Sequence, residues 1–305
     1  MVEKENLLKM AMVREAAEEE VFLFPNVVGV GIGFKTVGGQ ITEEICIKVY
    51  VEKKLPQAEL AAEAIIPAEY EGIPLDVEEV GKIEAQVFKT RLRPARPGYS
   101  IGHYRITAGT FGCLVKDVCC SEIYILSNNH VLANSNIARI GDPILQPGRY
   151  DGGSLPNDLI ANLRRFVRIN FGDRDRYNLV DAAIAKPIEI RMVRADIINI
   201  GIPNGCAEVA LGMSVKKSGR TTQTTIGKVI GTDVSIVVNY GGGRIAYFRD
   251  QILTTNMSAG GDSGSILLDT DGRVVGLLFA GSSRVTVHNK IQNVLMALRI
   301  KLIKN

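Results

Sequence analysis

Tryptophan is absent from this chain of 305 residues, histidine occurs three times and cysteine five times. Each scarcity narrows what the protein can be. Cys46, Cys113, Cys119, Cys120 and Cys206 are odd in number and thinly spread, and they form neither a disulfide framework nor a metal-ligand spacing. Reduced thiols are therefore expected, with no metal ion and no cofactor. The formal net charge of +3 is small, so neither nucleic acid nor a membrane surface is expected as a partner. No apolar stretch approaches membrane-spanning length. The opening "MVEKENLLKMAMVREAAEEE" alternates charged and apolar residues where a secretion signal would carry an apolar core, which leads us to expect a cytoplasmic protein.

What remains is an ordinary globular composition, 46% hydrophobic and 23% charged, in a chain long enough for one large domain or two ordinary ones. Residues 5–20 read as a helix that Pro25 ends. "NVVGVGIGFKTVGGQ" and "EEICIKVYVEKK" read as two strands joined by a turn at Gly38 and Gly39. "PQAELAAEAI" reads as a short helix and "IPLDVEEVGKIEAQ" as a further strand. Gly29, Gly31 and Gly33 are spaced GxGxG with no helix after them, so they belong to a glycine-rich strand and not to a nucleotide loop. These elements make a small α+β domain over residues 1–92. "RLRPARPG", with two prolines and three arginines, marks a solvated linker over 93–104. From 105 to 305 short apolar runs alternate with turn signals in an all-β pattern. "NKIQNVLMALRIKLI" closes the chain as a helix, with Ile291, Val294, Leu295 and Leu298 on one face.

The string "SAGGDSGS", residues 258–265, sits between two apolar runs. Gly, Asp and Ser are turn formers, but Ser263 is also a candidate nucleophile if a base and an orienting group accompany it. Among the histidines, His130 in "YILSNNHVLAN" stands where a strand gives way to small polar residues, as a base at a cleft rim requires; His103 and His288 do not. Asp181 in "NLVDAAIAKP" is an acid with apolar neighbours on both sides, and such a carboxylate needs a partner. Asp158, Asp173 and Asp175 lie in polar loop sequence.

Together "LSNNHV", "VDAAIA" and "GGDSGS" resemble the motifs of trypsin-like, chymotrypsin-fold serine proteases, in the order His, Asp, Ser of that class, over about residues 105–303. Within that class the chain resembles bacterial, non-secreted proteins related to the narrow-leaf type of plants, with an extra N-terminal domain. It implies a mainly β fold, with two six-stranded-type antiparallel barrels and a C-terminal helix, preceded by the small α+β domain. It implies a serine endopeptidase in which Ser263 attacks, His130 moves the proton, Asp181 orients the imidazole, and the N–H groups of Gly261 and Ser263 form the oxyanion hole.

By the same resemblance Met257, Phe279, Ala280 and Gly281 form the substrate pocket, which suits an apolar residue before the cut. Leu278 stands where glutamyl endopeptidases tend to carry a histidine. Val131 follows the histidine where secreted members have a cysteine, which leaves Cys113 without its disulfide partner. Asp262 either pairs with a new amino terminus at Ile101 or makes local hydrogen bonds, and the second is favoured. The partner expected is a peptide or protein substrate, with residues 1–92 available for self-association or another partner. The competing reading is a latent or inactive binding and assembly module on the same fold. A nucleic-acid surface built from Arg91, Arg93, Arg96, Arg164, Arg165 and Arg168 is disfavoured by the low net charge.

Overall fold

The computed structural model describes residues 4–61, 64–81, 88–106 and 108–304. The chain divides into two compact units, Met1–Gln86 and Val87–Asn305.

In the first unit, helix α1 (Lys4–Val21) precedes strands β1 (Val27–Val37), β2 (Gln40–Val51), β3 (Glu69–Tyr70) and β4 (Ile73–Glu79). The sheet order is β1-β2-β4-β3, with β2 and β4 parallel. Val13, Ala17 and Val21 of α1 bury against Ile47, Val49 and Leu75, the side chains that alternate onto one face of the sheet. The opposite face carries Lys48, whose ammonium lies 2.7 Å from both Asp76 and Glu78. Burial works against that charge, yet the two carboxylates overcome it and raise the Lys48 pKa. Gly29, Gly31 and Gly33 all lie within β1, as a glycine-rich strand. In the segment expected to be a short helix Gln57–Glu59 forms a 3-10 turn, and residues 62–63 lie outside the described residues.

The second unit is almost entirely β. An eight-stranded sheet has the order β18-β7-β8-β11-β10-β9-β5-β6. Its strands are β5 (Ser100–His103), β6 (Gly109–Thr110), β7 (Cys113–Asp117), β8 (Ile123–Ser127), β9 (Pro143–Leu145), β10 (Leu159–Phe166), β11 (Ala183–Pro187) and β18 (Ile300–Leu302). The remaining six close into a barrel in the order β12-β13-β14-β17-β16-β15. These are β12 (Ser214–Gly219), β13 (Gln223–Asn239), β14 (Ile245–Thr255), β15 (Ile266–Asp269), β16 (Val274–Gly281) and β17 (Val285–Lys290). Short helix α2 (Asn129–Leu132) follows β8, and α3 (Ile291–Leu298) follows β17. Each half has its own apolar core, around Phe111, Ile125 and Leu163 in the sheet and around Val215, Ile252 and Leu267 in the barrel. A third core, with Leu126, Ile184, Ile266, Leu277 and Val294, unites them.

Two expectations from sequence are corrected. Residues 93–104 are not a wet linker: Ser100–His103 is strand β5, Ala95 bridges to Val193, and Ala95 and Ile101 are fully buried. The prolines that exclude a helix leave an extended, sheet-bound path open. The arginines are engaged where they lie: Arg91 pairs with Asp158, Arg96 pairs with Asp196, and Arg93 donates to the Gln146 side chain and carbonyl. The domain boundary accordingly falls ahead of that segment. The C-terminal helix is also shorter than its pattern suggested. Arg299 turns left-handed (φ 51°), and the chain continues as β18, pairing Ile300 and Leu302 with Asp117 and Val115 of β7. The alternation of Ile300 and Leu302 as buried residues wins over the helical period once a sheet edge is within reach.

The two histidines set aside as bases are both buried. His103 Nε2 meets Asp142 Oδ2 at 3.0 Å, and burial, partly offset by Asp142, lowers its pKa. His288 Nε2 lies 3.0 Å from Thr254 Oγ1. Burial, helped by the charge of Lys217, pushes His288 down to about 3 from 6.5. A histidine that must stay neutral in the native state favours folding above its unfolded pKa, and that contribution is lost as pH falls from 6.5 toward 3. Urea unfolding at pH 7 and pH 4 is therefore expected to show a smaller acid-induced loss of stability in His288→Leu than in the wild type. An equal loss in both proteins would refute this assignment.

Candidate active site

Strands β8 and β11 pair antiparallel, with Ser127 opposite Ala183 and Leu126 opposite Ile184. His130 lies just beyond the end of β8 and Asp181 just ahead of β11, so one ladder delivers both to the same end of the sheet. His130 Nδ1 lies 2.6 Å from Asp181 Oδ2, and the His130 backbone N–H donates to Asp181 Oδ1 at 3.2 Å. The carboxylate is fully buried while the imidazole keeps partial exposure. A buried carboxylate needs donors, and a third comes from the Tyr240 phenol, 2.8 Å from Oδ2. The backbone at Asp181 is held as firmly. Its N–H donates to Asn289 Oδ1 at 3.0 Å, and its carbonyl accepts from Asn128 Nδ2 at 2.7 Å. Asn129 and Asn136 tie the turn after His130 to the carbonyls of Val167 and Ile169. The small polar run around the histidine is thus a set of clamps.

Ser263 arrives from the other half, on the loop between β14 and β15. Its carbonyl accepts from the Thr110 N–H at 2.8 Å, and Thr110 Oγ1 donates to Gly261 O at 2.9 Å. Gly109, beside Thr110, is packed between the Val131 side chain and the Ser263 carbonyl; a Cβ there would lie 2.4 Å from Val131 and 3.0 Å from that oxygen. The serine is therefore seated against the residue that follows His130. Among the described residues no hydrogen bond links Ser263 Oγ to His130; the hydroxyl donates instead to Phe279 O at 3.5 Å. Resting hydrolase geometries of this kind often tighten only when substrate binds.

Gly261 has φ +98°, a conformation L side chains rarely adopt, and a Cβ would strike Arg220 and Thr221. Among the described residues the N–H groups of Gly261 and Ser263 have no protein acceptor. They are available as a pair of donors.

Between them Asp262 is fully buried and turned inward. It accepts from the N–H groups of Ala259, Thr221 and Thr222 at 3.0, 2.8 and 3.1 Å, from Thr222 Oγ1 at 2.6 Å, and from Lys217 Nζ at 3.3 Å. Lys217 is fully buried too; burial lowers its pKa and Asp262 opposes that shift. Internal donors thus surround Asp262, while Ile101, the possible new terminus, is buried in β5 and paired with Gly109. Next to this cluster Arg220 forms a buried ion pair with Asp151, to which Ser100 Oγ also donates at 2.5 Å.

Two clefts meet at Ala280, Gly281 and Ser282. One, of about 810 Å³, is lined by His130, Tyr240, Phe279, Arg105 and Arg244 among others. The other, of about 370 Å³, lies beside Ser263 and is lined by Asn256, Ser258, Leu278 and Ser283. Of the four residues expected to form the substrate pocket, Ala280 and Gly281 line both clefts and Phe279 lines the larger. Met257 lines neither: it packs with Val215, Val229 and Ile252 in the barrel core. Strand-like alternation turns Met257 inward and leaves its neighbours Asn256 and Ser258 at the wall. Sequence reasoning also missed Thr110, Lys217, Tyr240 and Asn289, since each acts from a distant strand and none stands in a recognisable motif.

Comparison with known proteins agrees with this architecture. The chain is 38% identical over 86 residues to glutamyl endopeptidase 2 of Streptomyces griseus, covering 28% of this chain and 37% of that protein. It is 35% identical over 98 residues to serine protease 1 of Streptomyces fradiae, covering 32% and 23%. The match therefore spans well under half the length of these curated relatives. In fold it is similar to Nocardiopsis protease (TM-score 0.51, 15% identity, 69% of this chain and 100% of that one). Thermobifida fusca protease A is similar to the same degree (TM-score 0.50, 17% identity, 69% and 100%). Residues 112–277, more than half of the chain, match the trypsin-like peptidase domain, and the protein belongs to that family.

Proposed function

We propose that the protein is a serine endopeptidase in which Ser263, His130 and Asp181 act as the catalytic triad. The observation that carries this reading is the His130–Asp181 pair at 2.6 Å, opening onto the cleft whose neighbour holds Ser263. In this mechanism Ser263 Oγ attacks the peptide carbonyl as His130 Nε2 takes its proton. The N–H groups of Gly261 and Ser263 receive the developing oxyanion. His130 then hands the proton to the leaving amine, and water repeats the cycle on the acyl-enzyme. Asp181, bonded to Nδ1, keeps Nε2 free for this transfer.

A fluorophosphonate probe tests the nucleophile directly: wild type is expected to label, and Ser263→Ala and His130→Ala are not. Folded wild type that stays unlabelled would sink the reading and favour a binding module on the same fold.

The oxyanion donors depend on Asp262, and Asp262 on Lys217. Lys217→Met keeps an unbranched apolar stem but leaves a buried carboxylate without its cation. A loss of about 3 kcal/mol in stability is expected, with about 10²–10³ lost in kcat as the donors lose their support. Unfolding curves and steady-state kinetics on the variant check both. Wild-type kcat in a folded variant would refute the dependence.

The pocket beside Ser263 supports a neutral side chain before the cut. Among its described lining residues none is charged; Ser258 Oγ bonds Thr286 Oγ1 at 2.8 Å, and Asn256 Nδ2 donates to Ser283 O at 3.2 Å. The glutamate preference that the name of the Streptomyces griseus relative implies does not carry over, because Leu278 offers no charge to meet a carboxylate. Peptide libraries are expected to show Glu, Asp, Lys and Arg at that position cleaved at least about tenfold more slowly than uncharged residues. A preference for Glu would overturn this assignment. A cytoplasmic setting is likewise our proposal, supported by the exposed free thiols of Cys119, Cys120 and Cys206.

A further inference from the structure

One hydroxyl at the site belongs to no motif. Tyr240 follows the last residue of β13, and its phenol donates to Asp181 Oδ2 at 2.8 Å, the same oxygen that meets His130 Nδ1. The ring is fixed on three sides. It stands edge-on to His130 at 5.9 Å and to Phe171 at 5.4 Å, and lies near-parallel to Phe248 at 6.4 Å. The same ring lines the larger cleft. Tyr240 therefore touches the carboxylate with its oxygen and the substrate cleft with its ring.

We infer that Tyr240 is a positioning residue for the reaction: its phenol shares the charge of Asp181 with His130 and thereby sets the basicity of the imidazole, and the β13–β14 hairpin completes the site by delivering it. The inference rests on the proposed roles of His130 and Asp181. Its physics is a division of one charge. Asp181 Oδ2 accepts from two donors, and hydrogen bonds to a carboxylate oxygen are strong and mutually weakening. The phenol withdraws part of the negative charge that would otherwise stabilise the imidazolium. Burial, followed by the adjacent Asp181, raises the Tyr240 pKa well above 10, so the group remains a donor across the working pH range.

The delivery is as distinctive as the bond. Beyond Tyr240 the hairpin turns through Gly241, Gly242 and Gly243, all with positive φ, and returns at Arg244, whose N–H bonds the Gly241 carbonyl at 3.1 Å and whose carbonyl accepts from Tyr240 at 2.9 Å. The turn thus closes immediately behind the phenol. The other charged groups facing this cleft are Arg105 from the sheet half and Arg244, whose guanidinium lies over Phe171 at 5.5 Å. Both are cations; neither bonds to Asp181 among the described residues.

The test reads the His130 ring titration by NMR in a Ser263→Ala background, which needs no turnover. Failure of the protease reading therefore leaves the readout intact. Tyr240→Phe keeps the ring and removes the hydroxyl. Its His130 midpoint is expected to move to higher pH by roughly one pH unit. With Ser263 present, kcat/KM below that midpoint should fall about tenfold, while its plateau changes less. Phe171→Leu loosens the same ring while keeping the Tyr240 hydroxyl, and its midpoint is expected to stay in place. An unmoved midpoint in Tyr240→Phe, or an equal displacement in Phe171→Leu, overturns the inference.

Discussion

A carboxylate withdrawn from solvent is the constraint on which the second unit is arranged. Asp181 has no exposure, and a charge in that position persists only where donors from several directions meet it. One half of the unit contributes His130 and Asn128, and the other contributes Tyr240 and Asn289. Asn289 is held in turn by Gln251, which donates to the Leu179 carbonyl. This network can form only where the halves meet, and the cleft opens there for the same reason.

A second buried carboxylate, Asp262, repeats the principle on the loop that carries Ser263. Its donors pull the chain inward between Gly261 and Ser263, whose own N–H groups have no protein acceptor among the described residues. Lys217 and the neighbouring Arg220–Asp151 pair make this region a cluster of compensated charges. Such clusters contribute little net stability compared with apolar packing of the same volume, but removing one member is costly. Here their effect is shape, because the loop's backbone follows from which groups must be neutralised.

The glycines fit this account. At Gly261 a side chain would collide with Arg220 and Thr221, and the backbone conformation itself favours glycine. Ser263 is thereby held at the wall of a cleft whose other side is built by the end of β16 and the turn that follows it.

The class of fold, the small α+β unit ahead of it and the candidates His130, Asp181 and Ser263 were legible in the sequence, and the structure joins His130 to Asp181. Those properties rest on local signals: two-residue alternation, turn chemistry, and short motifs in which small polar residues crowd a histidine or a serine. Tertiary structure alone decided that residues 93–104 are sheet and not linker, that the last helix yields to β18, and that Met257 turns into the barrel core. Each of these depends on whether a partner strand or an apolar interior lies beside the segment. The same holds for Lys217, Thr110 and Tyr240. A hydrogen bond from a distant strand leaves no periodicity behind, and only folding brings the donor to its carboxylate.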